Sequence, residues 1–362
     1  MAVSKTGVLT FHRCINYGSY WQARALTEGL IARGHSAELL DHHSNRVNVA
    51  EWKCAYNPVL PSSVPPSDYS FYRQKIERFF QAFQSFKLSP KFDLDRPETM
   101  LEYDVVVVGS DEVWNLFHPW YGKNPMFYGE GINAERLISY AASFGNYPAS
   151  LGVDQTWGSK LLNFEHISVR DENSQAIVRN ALGIEPPLVL DPCLQFLIQP
   201  EERKLTLQQP YLAVYGHNFS STFVRSVQQY ATEKKIPLVS IGYRNDWADK
   251  QWLTADPHEF AHFIQNALAV ATNFFHGCIF ALKFEKPFVC EATTYRSFKV
   301  QGLMATVKAE HHLVNENSSK GTYRALLEND FDTGILSTIK QLQSASNEFL
   351  DEALGFKQLR VA

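Results

Sequence analysis

Residues 7–41 read GVLTFHRCINYGSYWQARALTEGLIARGHSAELLD, and the fold is decided here. Residues 7–12 form a short apolar run of strand length. From Ser19 to Arg33 the apolar positions Trp21, Ala25, Leu26, Leu30 and Ile31 recur at helical spacing, and Gly34 suits the residue that closes a helix. Residues 36–41 are strand-like again. Strand, helix and strand in immediate succession make a βαβ unit, which implies a parallel sheet.

The alternation continues outward. YDVVVVGSDEVWN (103–115) holds the run Val105–Val108, as strands covered on both faces do. RLISYAASFG (136–145), HISVRDENS (166–174) and PLVLDPCL (187–194) extend the series, with a helix expected over SQAIVRNAL (174–182). A second series holds YLAVYG (211–216), a helix over Ser221–Lys234, PLVSIGY (237–243), a helix over 257–268, LAVATN (268–273), a helix starting near His276, and PFVCEA (287–292). LQFLIQPEERKLTLQQ (194–209) separates the two. The expected architecture is α/β, two Rossmann-like domains facing across a cleft. They cover residues 1–200 and 201–335, and a C-terminal helix over 336–362 is expected to fold back on the first.

Residues 43–100 interrupt the first series as a helical insertion. NPVLPSSVPPSD (57–68) reads as loop, and YSFYRQKIERFFQAFQSFKLS (69–89) as an amphipathic helix with Phe71, Ile76, Phe79, Phe80 and Phe83 along one side. Such a stripe is more often core packing than a ligand platform, but an insertion is also a candidate wall for an acceptor pocket.

A length of 362 residues with 45% hydrophobic content suits two cores. The net charge of −4, without basic runs, argues against a protein that holds nucleic acid by its phosphates, and leaves room for a small anionic ligand. Cys14, Cys54, Cys193, Cys278 and Cys290 are odd in number and never form a C-x-x-C pair. Neither a disulfide framework nor a metal site follows; they read as reduced thiols of a cytoplasmic protein. The N-terminus shows no secretory pattern, and the most apolar window, 266–284, contains Asn273, His276 and Lys283, which argues against a membrane span.

In open α/β sheets ligands bind beyond the carboxyl ends of the strands. That rule selects His12, Arg13, Asn16 and Gly18, then Asp111, Arg170, Asp191, His217 and His276. The NYGS turn leads into a helix whose first N–H groups suit phosphate or carboxylate oxygens. Asp41 ends the second strand, where a dinucleotide fold holds a ribose, but neither G-x-G-x-x-G nor a Walker sequence is present, and no cofactor is expected. Each residue has a plainer reading: Asp111 as a helix cap, Arg170 as the partner of Asp171 or Glu172, His276 as a core imidazole. Their convergence on one rim weighs against those readings jointly.

TFHRCINYGSYWQA, FKLSPKF, YDVVVVGSDEVWN, ISYAASFGN, ISVRDENS, LVLDPCL and FFHGCIFALKFEKPFV, in this order over residues 7–290, resemble the polysaccharide pyruvyl transferase family. The resemblance implies a fold like that of GT-B glycosyltransferases. It also implies transfer of pyruvate from phosphoenolpyruvate to sugar hydroxyls as a ketal, without cofactor or metal. The family's general acid falls on His276, the arginine of its S-x-R-[DE] motif on Arg170, and the aspartate of GSD on Asp111. His12, Arg13, Asn16, Gly18, Ser19, Ser110, His217, Asn273, Gly277 and Lys286 are expected to line the substrate. Where some members carry arginine this chain has Phe274, and Arg13, Lys283 or Lys286 would then meet the donor anion. Expected partners are phosphoenolpyruvate and a sugar or glycan acceptor, with peripheral membrane association if that acceptor is lipid-linked. Two competing readings are a GT-B glycosyltransferase using a nucleotide sugar, with Glu291 on the ribose, and a non-catalytic sugar- or anion-binding protein.

Overall fold

The computed structural model describes residues 4–202, 207, 209–292 and 297–355. Along the chain run β1 (Lys5–Leu9), α1 (Tyr17–Ala32), β2 (Ser36–Leu39), β3 (His42–His43), α2 (Asn45–Tyr56), α3 (Tyr69–Phe83), β4 (Phe92–Asp93), β5 (Tyr103–Val108) and β6 (Ala134–Ser139). Next come α4 (Gln155–Lys160), α5 (Glu172–Leu182), α6 (Pro192–Gln195), β7 (Leu212–Tyr215), α7 (Ser221–Lys234), β8 (Leu238–Ile241), β9 (Lys250–Trp252), α8 (Pro257–Asn266) and β10 (Ala269–Thr272). The chain then continues through α9 (Phe275–Lys283), β11 (Phe288–Glu291), α10 (Ser297–Thr306), β12 (Leu313–Val314), α11 (Lys320–Glu328) and α12 (Thr333–Leu354).

Two α/β units result. One comprises Met1–Ala50, Phe86–Ile198 and Ser337–Ala362, the other Glu51–Ser85 and Gln199–Leu336. The first holds a parallel sheet in the order β2-β1-β5-β6, the second a parallel sheet in the order β12-β11-β10-β7-β8-β9. Central strands β5, β7 and β10 are buried almost throughout, which is why they read as unbroken apolar runs. Each unit has its own core, with Trp114, Phe127 and Val106 in the first and Val214, Phe223 and Val289 in the second.

Three features differ from the sequence reading. The strands expected at 166–169 and 187–190 are present only as single bridges, Ile138 with His166 and Val169 with Ala142 and Leu188. Side chains reinforce the few backbone bonds here: Ser139 Oγ donates to the Ser168 carbonyl, and Ser168 Oγ donates to that of Ser139. Second, residues 51–85 of the insertion belong to the second unit. Arg78 pairs with Asp256 at 2.8 Å and Glu259 at 2.6 Å, and Arg244 with Asp68 at 2.9 Å. Third, the inward face of α3 is Tyr72, Lys75, Ile76, Phe79 and Phe83, while Phe71 and Phe80 are exposed. At 100° per residue those two lie a full step off the buried stripe.

From Ser337 on, α12 belongs to the first unit. Arg33 binds Asn347 and Asp351, Ser346 Oγ accepts the Leu190 N–H, and Gln343 donates to the Leu194 carbonyl. Residues 356–362 of the expected C-terminal segment, and 203–206 and 208 of the separating stretch, lie outside the described residues.

Candidate functional site

Each sheet presents a carboxyl rim, and most of the residues selected from sequence lie on one of the two. In the first unit β5 ends in Gly109-Ser110-Asp111. A Cβ on Gly109 would lie 2.3 Å from the Tyr140 carbonyl oxygen, so only glycine lets the chain turn against β6 here. Asp111 follows in the left-handed region, φ 70°, a conformation aspartate tolerates. No helix starts at Asp111. Its Oδ1 accepts the Glu112 N–H at 2.9 Å and its Oδ2 the Ser19 hydroxyl at 2.7 Å.

Arg170 stands behind this turn with its side chain only 3% exposed. NH1 donates to Asp191 Oδ2 at 2.8 Å and to Ser110 Oγ at 3.3 Å, and NH2 lies 3.6 Å from Asp111 Oδ1. Burial alone would lower the guanidinium pKa, but the carboxylates of Asp191 and Asp111 more than offset it and the pKa is raised. The Arg170 fork faces Asp191, Ser110 and Asp111, so the expected donor contact would have to form beside two internal carboxylates. Asp171, whose charge also helps to raise the Arg170 pKa, caps α5 by accepting the Ser174 N–H at 2.7 Å.

The NYGS turn shows the same internal satisfaction. Asn16 is the N-cap of α1, and its Oδ1 accepts the N–H groups of Gly18 at 2.8 Å and Ser19 at 3.2 Å. The two amides expected to take anionic oxygens are thus capped from within. Ser110 Oγ likewise donates to the Ala141 carbonyl at 3.0 Å.

His12 is fully buried, with Nε2 3.0 Å from Asp41 Oδ1 and Nδ1 3.3 Å from the Thr10 carbonyl. Arg13 adds two charge-assisted bonds to Asp41, both at 2.7 Å. Burial lowers the His12 pKa despite Asp41, and it lowers that of neighbouring His42 to about 3. Burial would raise the Asp41 carboxyl, but bonds from His12 and Arg13 hold it far below its usual range. His12 and Arg13 thus share Asp41, and Arg13 is the most exposed member of the group, at 24%.

In the second unit β7 leads to Gly216-His217 and β10 to Asn273-Phe274. Asn273 is 1% exposed; its Nδ2 donates to the His217 carbonyl at 2.8 Å, tying the two turns together. The His217 ring packs 5.1 Å from Tyr243 and 5.3 Å from Phe274. Thr272 Oγ1 donates to the Tyr215 carbonyl at 2.6 Å and accepts the Phe274 N–H at 3.1 Å, which fixes the entry into α9. Phe274 is the N-cap and makes no side-chain capping bond. His276 and Gly277 follow in the first turn. A Cβ on Gly277 would meet Thr272 Oγ1 at 2.0 Å, so this glycine serves the close approach of helix to strand.

Lys286 does not share that rim. It precedes β11, whereas the carboxyl end of β11 is Glu291; α9 carries the chain about 13 Å away from its own N-terminus before Lys286 is reached. Lys283, in the last turn of α9, is displaced in the same way. Glu291 is on the rim, but both of its oxygens face the Ser220 N–H, at 3.2 and 3.1 Å, ahead of α7.

Two residues with marked environments were not singled out from sequence. Lys75 on α3 is buried, donates to the Gly242 carbonyl at 3.0 Å and lies 4.5 Å from the Tyr243 ring centroid. Burial lowers its pKa to about 7. The signal was a lysine in register with the apolar stripe 72, 76, 79, 83. The other is Thr272, a polar strand end ahead of an uncapped helix start.

Two parallel α/β sheets of this kind define the GT-B class of two Rossmann-like units. Among solved structures the chain is similar to a Listeria monocytogenes protein provisionally described as a UDP-N-acetylglucosamine 2-epimerase, at 13% identity and TM-score 0.51, covering 98% of this chain and 97% of that one. It is also similar to the glycotransferase of kitacinnamycin (13%, TM-score 0.49, 99% of each chain). A third is the UDP-GlcNAc 2-epimerase of Methanocaldococcus jannaschii (12%, TM-score 0.48, 95% and 99%). At 13% identity the first of these likenesses bears on fold alone. No curated protein matches the chain. The family model for polysaccharide pyruvyl transferase matches residues 16–295, and the chain belongs to that family of transferases. Among the described residues no helix is long and apolar enough to cross a membrane.

Proposed function

We propose that the protein transfers the pyruvyl unit of phosphoenolpyruvate to hydroxyls of a sugar or glycan, forming a pyruvate ketal, with His276 as general acid. The observation that carries this reading is the placement of His276. It stands in the first turn of α9, at the carboxyl end of a central strand, behind an N-cap residue with no side-chain acceptor. The dipole of α9 favours an anion at this end, and an imidazole is suited to deliver a proton near neutral pH.

The chemistry is an addition to an enol ether. Protonation of the methylene carbon makes a methyl group and leaves cationic character on the central carbon. An acceptor hydroxyl adds there and loses its proton, phosphate departs with the C–O bond electrons, and a second hydroxyl closes the ketal. In the first unit Asp111 is assigned to orienting an acceptor hydroxyl, held in place by Ser19 and Arg170. Arg170 thus acts on geometry and not on the donor. No cofactor or metal enters the scheme, and the cytoplasm, where phosphoenolpyruvate is made, is the expected compartment.

The test is incubation with phosphoenolpyruvate and a glycan pool, alongside a parallel set with nucleotide sugars. Acceptor-dependent release of inorganic phosphate supports the reading. Release of nucleotide instead would make the protein a glycosyltransferase, and release of neither a binding protein.

A further inference from the structure

Trp52 and Tyr56 stand one helical turn apart on α2, their rings 4.9 Å apart and 10° from parallel. The Tyr56 ring stacks in turn on Tyr69 at the start of α3, at 5.1 Å and 23°. Tyr69 is packed against the small core of Val64, Tyr72 and Leu253. A column of three rings therefore rises from that core and ends on Trp52, which is 41% exposed. Of the other exposed aromatics among the described residues, Phe71, Phe80, Phe117 and Phe298, Phe80 meets Phe83 edge-on and Phe117 meets Tyr147 at a tilt, neither in a stacked column.

A column of this kind holds the terminal indole in one orientation before any ligand arrives, which removes much of the ordering cost of binding. Its face carries the negative side of the ring quadrupole, and the C–H groups on one face of a pyranose carry the complementary partial charge. A nucleobase also stacks on indole, but nucleic acid requires a basic surface, and this chain carries −4 with no basic run. A protein partner requires a patch of several hundred Å² per side, far more than one ring face. The family to which the chain belongs is described by polysaccharide.

We infer that Trp52 is a glycan-binding platform, on which the apolar face of a pyranose in the acceptor chain stacks. The inference rests on the reading that the acceptor is a glycan, and it assigns Trp52 no part in proton transfer.

The test is binding, so it is independent of the donor. Calorimetric titrations of the full chain, its Trp52→Ala variant and its Trp52→Phe variant with cellohexaose, xylohexaose and laminarihexaose read the platform directly. The full chain should bind at least one hexaose, the alanine variant should bind it about tenfold more weakly, and the phenylalanine variant should stay within about threefold. Unchanged melting temperatures establish that the variants fold. Equal affinity of the full chain and the alanine variant overturns the inference, as does failure of the full chain to bind any of the three at millimolar concentration. Phosphate release from phosphoenolpyruvate, measured separately, reports on the reaction and not on Trp52.

Discussion

Replacing Lys75 by methionine should stabilise the second unit, and only below a definite pH. The side chain is 3% exposed, and burial brings its pKa from 10.5 to about 7. Below pH 7 the ammonium is charged in both folded and unfolded chains, and the full burial penalty is present. Between 7 and 10.5 the unfolded chain keeps a proton that the folded one releases, so stability rises with pH across that window; above 10.5 the penalty is gone. The slope there is about 1.4 kcal/mol per pH unit. Methionine removes the charge at similar volume but loses the bond to the Gly242 carbonyl, about 1 kcal/mol, and its contact with Tyr243, of similar size. The expected net gain is about 2 kcal/mol at pH 6.5, read from urea unfolding followed by circular dichroism, and it should vanish or reverse by pH 9.5. A variant less stable than the parent at pH 6.5, or a difference that does not change with pH, would refute the reasoning.

Acid should act on the first unit. His42, with a pKa of about 3, and His12, also lowered by burial, stay neutral in the fold while their unfolded counterparts protonate near 6.5. Stability should therefore fall as pH drops through 6.5 towards 4, by about 1.4 kcal/mol per unit from His42, with His12 acting in the same direction. His42→Gln should flatten that slope by one such increment in denaturation at pH 6, 5 and 4. Gly277→Ala should cost about 1–3 kcal/mol, because the new methyl overlaps Thr272 Oγ1 and the first turn of α9 must shift. Since His276 moves with that turn, turnover should drop at least tenfold in the same variant; a fully active, equally stable protein would show that helix and strand have room there.

The sheets were legible because the apolar runs of β5, β7 and β10 have no alternation and are joined by helical spacing. The weak edges were not, because the pairing there shrinks to isolated bridges reinforced by the Ser139 and Ser168 hydroxyls, and composition does not distinguish that from a full ladder. The rim residues were legible through topology alone: Asp111, His217 and His276 follow strands, and Arg170 follows the isolated bridge at Val169. Their partners were not. Nothing in a single sequence says that Asp41 faces Arg13, that Asp191 takes Arg170, or that Asn16 caps the amides assigned to a ligand. Arg170 looks like an anion contact and His12 like a substrate-lining residue in the sequence; in the structure both are buried beside internal carboxylates, Asp191 and Asp41. Lys286 was misplaced for a simpler reason, since motif membership carries no information on which end of a strand a residue occupies. The insertion divided at residue 51 because its Arg78 and Asp68 find partners at Asp256, Glu259 and Arg244.

Turnover of His276→Ala with phosphoenolpyruvate and an accepted glycan tests the central claim most directly. Positioned proton transfer contributes about a hundred- to ten-thousand-fold, so the rate should fall at least a hundredfold while the melting temperature stays within about two degrees of the parent. Near-normal turnover would contradict the account and leave His276 a structural residue of α9.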